Sequence, residues 1–252
     1  HQLFDSTIDP NATPWPPLAP PYYYDGRDRI TIVGEPATVV RLARPSSYST
    51  SGRCPGGAGT SGWLASAWEV PEVAEWGTNY VATVGEDLDF SSGAPDDHDY
   101  AGLQVMAWLD GTEVYYDGAY IGAPLNAGQT YFVPGANNGP APGGVNSDHT
   151  ITTTANTPIQ VQMMTGACST APAAYVSAHG YTLQPVRRWG RSYWAPVPGF
   201  TRSCNRDNTN VDTDIYLHNP HTYAITVTVS SDQDPVDVGI PANTSISVLN
   251  GT

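Results

Sequence analysis

Gly102-Leu103-Gln104-Val105-Met106-Ala107-Trp108-Leu109-Asp110-Gly111-Thr112-Glu113-Val114-Tyr115-Tyr116 is the stretch on which the fold turns. Two apolar and aromatic runs, Leu103–Leu109 and Thr112–Tyr116, flank an Asp-Gly pair. Asp-Gly suits the two-residue turns whose twist matches paired strands, so Asp110-Gly111 predicts a tight hairpin. Helical periodicity is not sustained for three turns here or anywhere else in the chain.

The same pattern extends outward in both directions. Upstream, strands are expected at Ile30–Val33, Thr38–Ala43, Trp63–Val70 and Tyr80–Val84. Downstream they are expected at Gln129–Val133, Thr150–Thr154, Ile159–Met164, Tyr181–Pro185, Tyr193–Val197, Asp214–Leu217, Ala224–Ser230 and Ser245–Leu249. The 25 Gly and 23 Pro in 252 residues punctuate the chain too often for long helices. The expected fold is all-β: one or two β-sandwich units, Ig-like or jelly-roll-like, behind an extended arm. Residues 1–29 form that arm, residues 30–200 the main β-sandwich domain, and residues 201–252 a second, incomplete β unit.

A weak internal repeat supports the second unit. Leu125-Asn-Ala-Gly-Gln-Thr-Tyr-Phe-Val133 is similar to Ile240-Pro-Ala-Asn-Thr-Ser-Ile-Ser-Val248. Each follows a predicted hairpin, Val105–Tyr116 in the first copy and Ile215–Val229 in the second. The first copy continues into Thr150–Thr154 and Thr157–Val161. The second runs to Thr252 with no counterpart of those strands, so an open sheet edge is expected there.

The arm contains Pro14-Trp15-Pro16-Pro17-Leu18-Ala19-Pro20-Pro21-Tyr22-Tyr23-Tyr24. Its prolines impose extended, polyproline II-like backbone. Its aromatics exceed what a spacer needs, and three consecutive tyrosines cannot all face one side of a strand. Pro14, Trp15, Pro16, Pro17, Tyr22, Tyr23 and Tyr24 are therefore expected to dock on a neighbouring subunit at an open β edge. Ile8–Asp9 and Tyr22–Asp28 are the expected pairing stretches. Repeated head to tail, this contact builds a homo-oligomer or an open homopolymer.

Charged residues are only 13% of the chain, the net charge is −14, and all ten basic residues are Arg, with no Lys. Nucleic acid as a partner is disfavoured, because phosphate neutralisation needs a basic patch. Anionic membrane surfaces are disfavoured for the same reason. No apolar run approaches the ~20 residues of a membrane span, so no membrane insertion is expected. The missing Lys also removes a common guard of sheet edges.

An extracellular location, secreted or at the cell surface, is expected. Of Cys54, Cys168 and Cys204, the expected disulfide is Cys168–Cys204, because these two flank one continuous segment, with Cys54 unpaired or intermolecular. The alternative is three reduced thiols. Sequons stand at Asn11, Asn243 and Asn250. The His1-Gln2-Leu3 start is expected to reflect processing.

Two acidic segments are candidate Ca²⁺ sites. One contains Asp96, Asp97 and Asp99, and the other contains Asp207, Asn208, Asn210 and Asp212. Both offer the oxygens that Ca²⁺ takes, but the first lacks EF-hand spacing and solvated acidic loops are commoner, while the alternating Asp and Asn of the second also suit Asx turns. His1 raises a copper oxygenase of the polysaccharide-cleaving type, needing the α-amino group and a second His from His98, His149 or His179. His218-Asn219-Pro220-His221 lacks the further ligands of a zinc site and reads as a turn. No Gly-x-Ser-x-Gly elbow, haem signature or phosphate loop is present. Trp15, Tyr22–Tyr24, Trp63, Trp68, Tyr115, Tyr116 and Trp194 are candidates for an exposed aromatic platform.

Several phrases between residues 69 and 200 carry a family resemblance. They are Glu75-Trp-Gly-Thr-Asn-Tyr-Val81, Gly102-Leu-Gln-Val-Met-Ala107 with Asp110-Gly-Thr-Glu-Val114, and Leu125-Asn-Ala-Gly-Gln-Thr-Tyr131. Thr157-Pro-Ile-Gln-Val161, Thr165-Gly-Ala-Cys168, Gln184-Pro-Val186 and Trp189-Gly190 complete the order. Over this half of the chain the sequence resembles the IgGFc-binding-protein N-terminal domain family, a module of secreted mucus glycoproteins and bacterial surface proteins. The resemblance implies an extracellular β-rich scaffold used in adhesion or matrix building, and it implies no catalytic residues.

The leading expectation is a structural or adhesive subunit of an extracellular surface assembly, a self-assembling filament joined by arm or strand exchange, and not an enzyme. A secreted glycan-binding module with an aromatic platform is the alternative. The copper oxygenase using His1 stands third.

Overall fold

The computed structural model describes residues 22–24, 30–35, 37–43, 66–86, 100–133, 145–154, 156–168, 176–194, 215–230 and 235–249. It is all-β. Its paired strands are antiparallel throughout, and the only helical pieces among the described residues are single 3-10 turns at Val73–Glu75 and Val186–Arg188. The chain divides into two compact units, residues 1–187 and 188–252.

The first unit carries β1 (Tyr22–Tyr24), β2 (Val40–Ala43), β3 (Ser66–Glu69), β4 (Asn79–Val81), β5 (Tyr100–Ala107) and β6 (Val114–Tyr116). It continues with β7 (Ala119–Tyr120), β8 (Gln129–Val133), β9 (Thr150–Thr153), β10 (Ile159–Cys168) and β11 (Val176–Thr182). A five-stranded sheet runs β1-β8-β5-β10-β11, and a four-stranded sheet runs β4-β9-β6-β7.

One core draws side chains from both sheets. Side chains alternate across a strand, so one row of β5 and one row of β10 face the same way. Leu103 pairs with Met163, Val105 with Val161 and Ala107 with Ile159, and all six are buried. Tyr80 of β4 and Ile151 of β9 reach the same core from the other sheet. Tyr80 also ties the sheets together. Its hydroxyl donates to the Ile159 carbonyl at 2.6 Å and accepts the Gly77 N–H at 2.9 Å.

The Asp110-Gly111 turn is real, and Gly111 has φ +74°. It does not make a hairpin. Both edges of β5 are occupied, by β8 and β10, so the strand after the turn cannot pair with it. The chain instead crosses to the second sheet, and the neck is closed by reciprocal 2.8 Å bonds between Thr112 and Leu125. The tight hairpin lies one Asp-Gly later. Asp117 and Gly118, at φ +47° and +76°, join β6 to β7. Positive φ at both central residues is the signature of a type I′ turn.

Other strands differ from expectation. Residues 30–33 are not strand, β10 runs four residues past Met164 to Cys168, and Tyr193 and Trp194 lie outside any strand. The expected pairing of Tyr22–Tyr24 with a neighbouring subunit is corrected. They pair within the chain, Tyr22 to Tyr131 and Tyr24 to Gln129, because the outer edge of β8 is open to them. Pro14, Trp15, Pro16 and Pro17 lie outside the described residues.

The second unit carries β12 (Ile215–Asn219), β13 (Ile225–Val229), β14 (Val236–Ile240) and β15 (Thr244–Leu249). β12 pairs with β15 and β13 pairs with β14. This is the nesting of the first unit, where β5 and β8 form the outer pair and β6 and β7 the inner one. The repeat seen in sequence has a matching backbone. Leu125 and Ile240 are both buried, and three residues later Gly128 (φ +79°) and Asn243 (φ +48°) both turn through the left-handed region into β8 and β15.

Candidate functional site

Three polar constellations stand out among the described residues. The first is built by the β6–β7 hairpin and the segment entering β9. The Asp117 carboxylate meets His149 Nδ1 through one oxygen. Its other oxygen accepts the Thr150 N–H at 2.7 Å. The Tyr116 ring stacks on the imidazole, with centroids 5.0 Å apart and planes 4° from parallel. Burial, then the nearby charges of Asp117 and Glu86, pushes the Tyr116 hydroxyl well above its ordinary pKa. Glu86 is itself buried and accepts the Ala101 N–H at 2.8 Å.

An Asp that orients a His is two-thirds of a nucleophilic triad. Here no Ser, Thr or Cys side chain hydrogen-bonds the His149 ring among the described residues. Asp117 accepts backbone and side chain together, which locks the hairpin to β9. Asp117-Gly118 has the turn chemistry of a hairpin but is no different in sequence from Asp110-Gly111. The His149 partner of Asp117, 32 residues away, had no sequence signal.

The second constellation lies on the face of the five-stranded sheet opposite the core. Gln104 stands beside Gln162, and Met106 beside Gln160. Gln162 Nε2 donates to Gln160 Oε1 at 2.9 Å, and both residues are buried. The β2–β3 ribbon provides the cover. Arg41 donates to Gln162 Oε1 at 2.8 Å and sits 5.3 Å over the Trp68 ring. Trp68 packs on Gly180 of β11, and Thr182 Oγ1 donates to the Glu69 carbonyl at 3.2 Å. Trp68 Nε1 and Gln160 Nε2 are buried without a hydrogen-bond partner. Buried donors of this kind are ordinarily met by ordered water.

The third is the turn from β12 to β13. Asn219 is fully buried and its Nδ2 faces the carbonyls of Tyr223 (2.7 Å), Ile240 (3.2 Å) and Pro241 (2.8 Å). Its Oδ1 accepts the His221 N–H at 3.0 Å. His218 contacts Ser245 Oγ at 3.1 Å and Trp189 edge-on, while His221 stacks on Tyr223. The His-Asn-Pro-His run thus serves a turn, as its sequence suggested.

Among the described residues no group of three or more His, Cys, Asp or Glu is placed to hold a metal ion. The proposed Ca²⁺ ligands Asp96, Asp97, Asp99, Asp207, Asn208, Asn210 and Asp212 lie outside those residues, as do His1, His98, Cys54, Cys204, Asn11 and Asn250. The third sequon is described: Asn243 is exposed at the tip of the β14–β15 turn. The aromatic platform is partly dispersed, because Trp68 is buried and Tyr115 and Tyr116 are half-buried. Trp194 is 99% exposed and its neighbour Tyr193 is 66% exposed. No helix among the described residues is long and apolar enough to cross a membrane.

Searches against family models, curated proteins and solved structures match nothing for this chain.

Proposed function

We propose that the chain is a structural or adhesive subunit of an extracellular surface assembly, joined to its neighbours by strand pairing. The observation that carries this reading is the state of the second unit. Among the described residues its sheets are two-stranded, and Ile215, Leu217, Ile225, Val227, Val229, Val238 and Ile246 are only half-buried. Two-stranded sheets are marginal alone in water, and half-covered apolar strands are the ordinary mark of a surface that packs on something else. The first unit, by contrast, has a buried core of its own. The low charge density fits the same setting, in which a Cys168–Cys204 disulfide is expected.

Electron microscopy of native material, together with surface fractionation, tests the reading. Ordered fibres or a surface layer containing the chain are expected. A dispersed monomer in native material would refute it. Non-reducing peptide mapping is expected to recover a Cys168–Cys204 cross-link, and a link from Cys54 to either would count against that pairing.

A glycan-binding role is the second reading, favoured by the exposed Tyr193-Trp194 pair. Aromatic faces of this kind stack on sugar rings. An oligoglycan array probed with the native protein and with Trp194→Ala separates the two.

A further inference from the structure

We infer that β13 is a self-pairing edge, through which two copies of the chain join Ile225–Val229 antiparallel about a two-fold axis at Val227. This names one joint within the assembly reading above, and extension into a fibre or layer needs a second contact between such dimers.

The two units supply the first observation. Strand β6, the inner strand of the first unit, is paired on both sides, by β7 and by β9. Its counterpart β13 holds the same place in the nested repeat. The Thr112–Leu125 bridge that starts the β6 ladder corresponds to the Ile225–Ile240 pair, since Leu125 and Ile240 are matched residues. Among the described residues β13 pairs with β14 alone, and no described strand takes the place that β9 takes beside β6. An open edge presents alternate N–H and C=O groups that another strand can satisfy.

The second observation is the strand's own sequence, Ile225-Thr226-Val227-Thr228-Val229. Antiparallel self-pairing about the middle residue sets Ile225 opposite Val229, Thr226 opposite Thr228 and Val227 opposite its own copy. Every apolar side chain then meets an apolar one on one face, and every hydroxyl meets a hydroxyl on the other. Both kinds of cross-strand pair are favourable. A one-residue slip would set Val against Thr and spoil both faces. The exposures agree with this division, with Thr226 and Thr228 exposed and Ile225, Val227 and Val229 half-buried.

The third observation is the absence of edge protection. Strand β13 contains no proline and no charged residue, and the whole chain lacks lysine. Such an edge is unguarded against its own copy. Because the contact repeats the same patch on both partners, it closes as a dimer rather than extending. The joined sheet would run β14-β13-β13-β14. Each chain carries a net charge of −14, so long-range repulsion opposes the approach and added salt should strengthen the dimer.

The test is a charge swap at the two exposed threonines in the full chain. One variant is Thr226→Lys with Thr228→Lys, the other Thr226→Glu with Thr228→Glu. Each places like charges opposite one another across the axis and should weaken self-association about tenfold or more. Mixed one to one, the two should recover the wild-type dimer as a heterodimer in sedimentation equilibrium. Hydrogen exchange on the wild type supplies a measurement independent of the variants. Alternate amides within Ile225–Val229 should gain protection as concentration rises. Variants that associate like the wild type, or no concentration-dependent protection in this strand, would overturn the joint while leaving assembly through another surface standing. A wild type that stays monomeric in solution and in native material would overturn both.

Discussion

Trp68 lies directly on Gly180: a Cβ built at that glycine would stand 2.9 Å from the indole ring. The contact joins the β2–β3 ribbon to β11, and no larger residue fits beneath the ring without moving it. Gly180→Ala should therefore destabilise the first unit by about 1–3 kcal/mol in urea titration, the usual range for overpacking. The indole fluorescence should shift as the ring lifts. A silent substitution would mean that the ribbon is not seated there.

Tyr80 should be worth more than its ring. Phenylalanine at this position would leave the Gly77 N–H and the Ile159 carbonyl without their shared hydroxyl. Each orphaned buried group costs about 1–3 kcal/mol. The expected result for Tyr80→Phe is a clear drop in denaturant midpoint with an unchanged slope.

Alkaline pH should unfold the first unit through its buried tyrosines. Burial raises Tyr80 and Tyr181 from 10.0 to about 12. Their folded-state pKa lies above the unfolded one, so the folded form holds its protons longer. The associated stability is complete below pH 10 and is lost as pH rises from 10 through 12. Unfolding free energy measured across this window should fall steeply, and Tyr80→Phe with Tyr181→Phe should flatten the slope.

Asn219 should be irreplaceable in the second unit. Aspartate is nearly isosteric but turns an amide that faces three carbonyls into a carboxylate. Asn219→Asp should therefore be at least as damaging as Asn219→Ala, each costing about 3 kcal/mol or more. Protection of β12–β15 amides is the readout. Near-wild-type protection in Asn219→Asp would show that the turn does not depend on this amide.

At the β6–β7 turn, Asp117→Asn should be tolerated far better than Asp117→Val. Asparagine accepts the positive φ and keeps an acceptor for the Thr150 N–H, whereas valine offers neither. A difference of about 1–2 kcal/mol in thermal or denaturant stability is expected between them.

Most of the strands were legible in sequence because their causes are local. Turn residues punctuate the chain, and β-branched and aromatic residues between them disfavour helix, so Gln129–Val133 was placed to the residue. The repeat was legible too, since a buried aliphatic followed by a left-handed turn leaves its mark at Leu125–Gly128 and Ile240–Asn243. Strand β11 was not foreseen over Val176–Gly180, because Ser-Ala-His-Gly has little strand propensity and is drawn into the sheet by the long edge of β10. Which Asp-Gly makes the hairpin was also beyond the sequence. Asp110-Gly111 and Asp117-Gly118 look alike, and only the prior occupation of both edges of β5 sends the first to a sheet crossing and leaves the hairpin to the second. The polar clusters depend on the same long-range geometry: Arg41 reaches Gln162 across 121 residues and His149 reaches Asp117 across 32. Composition and turn chemistry act between neighbours, so the chain alone determines that it is β and where it bends. Edge occupancy is a property of the assembled sheets, and it decides which strands meet and which polar groups gather.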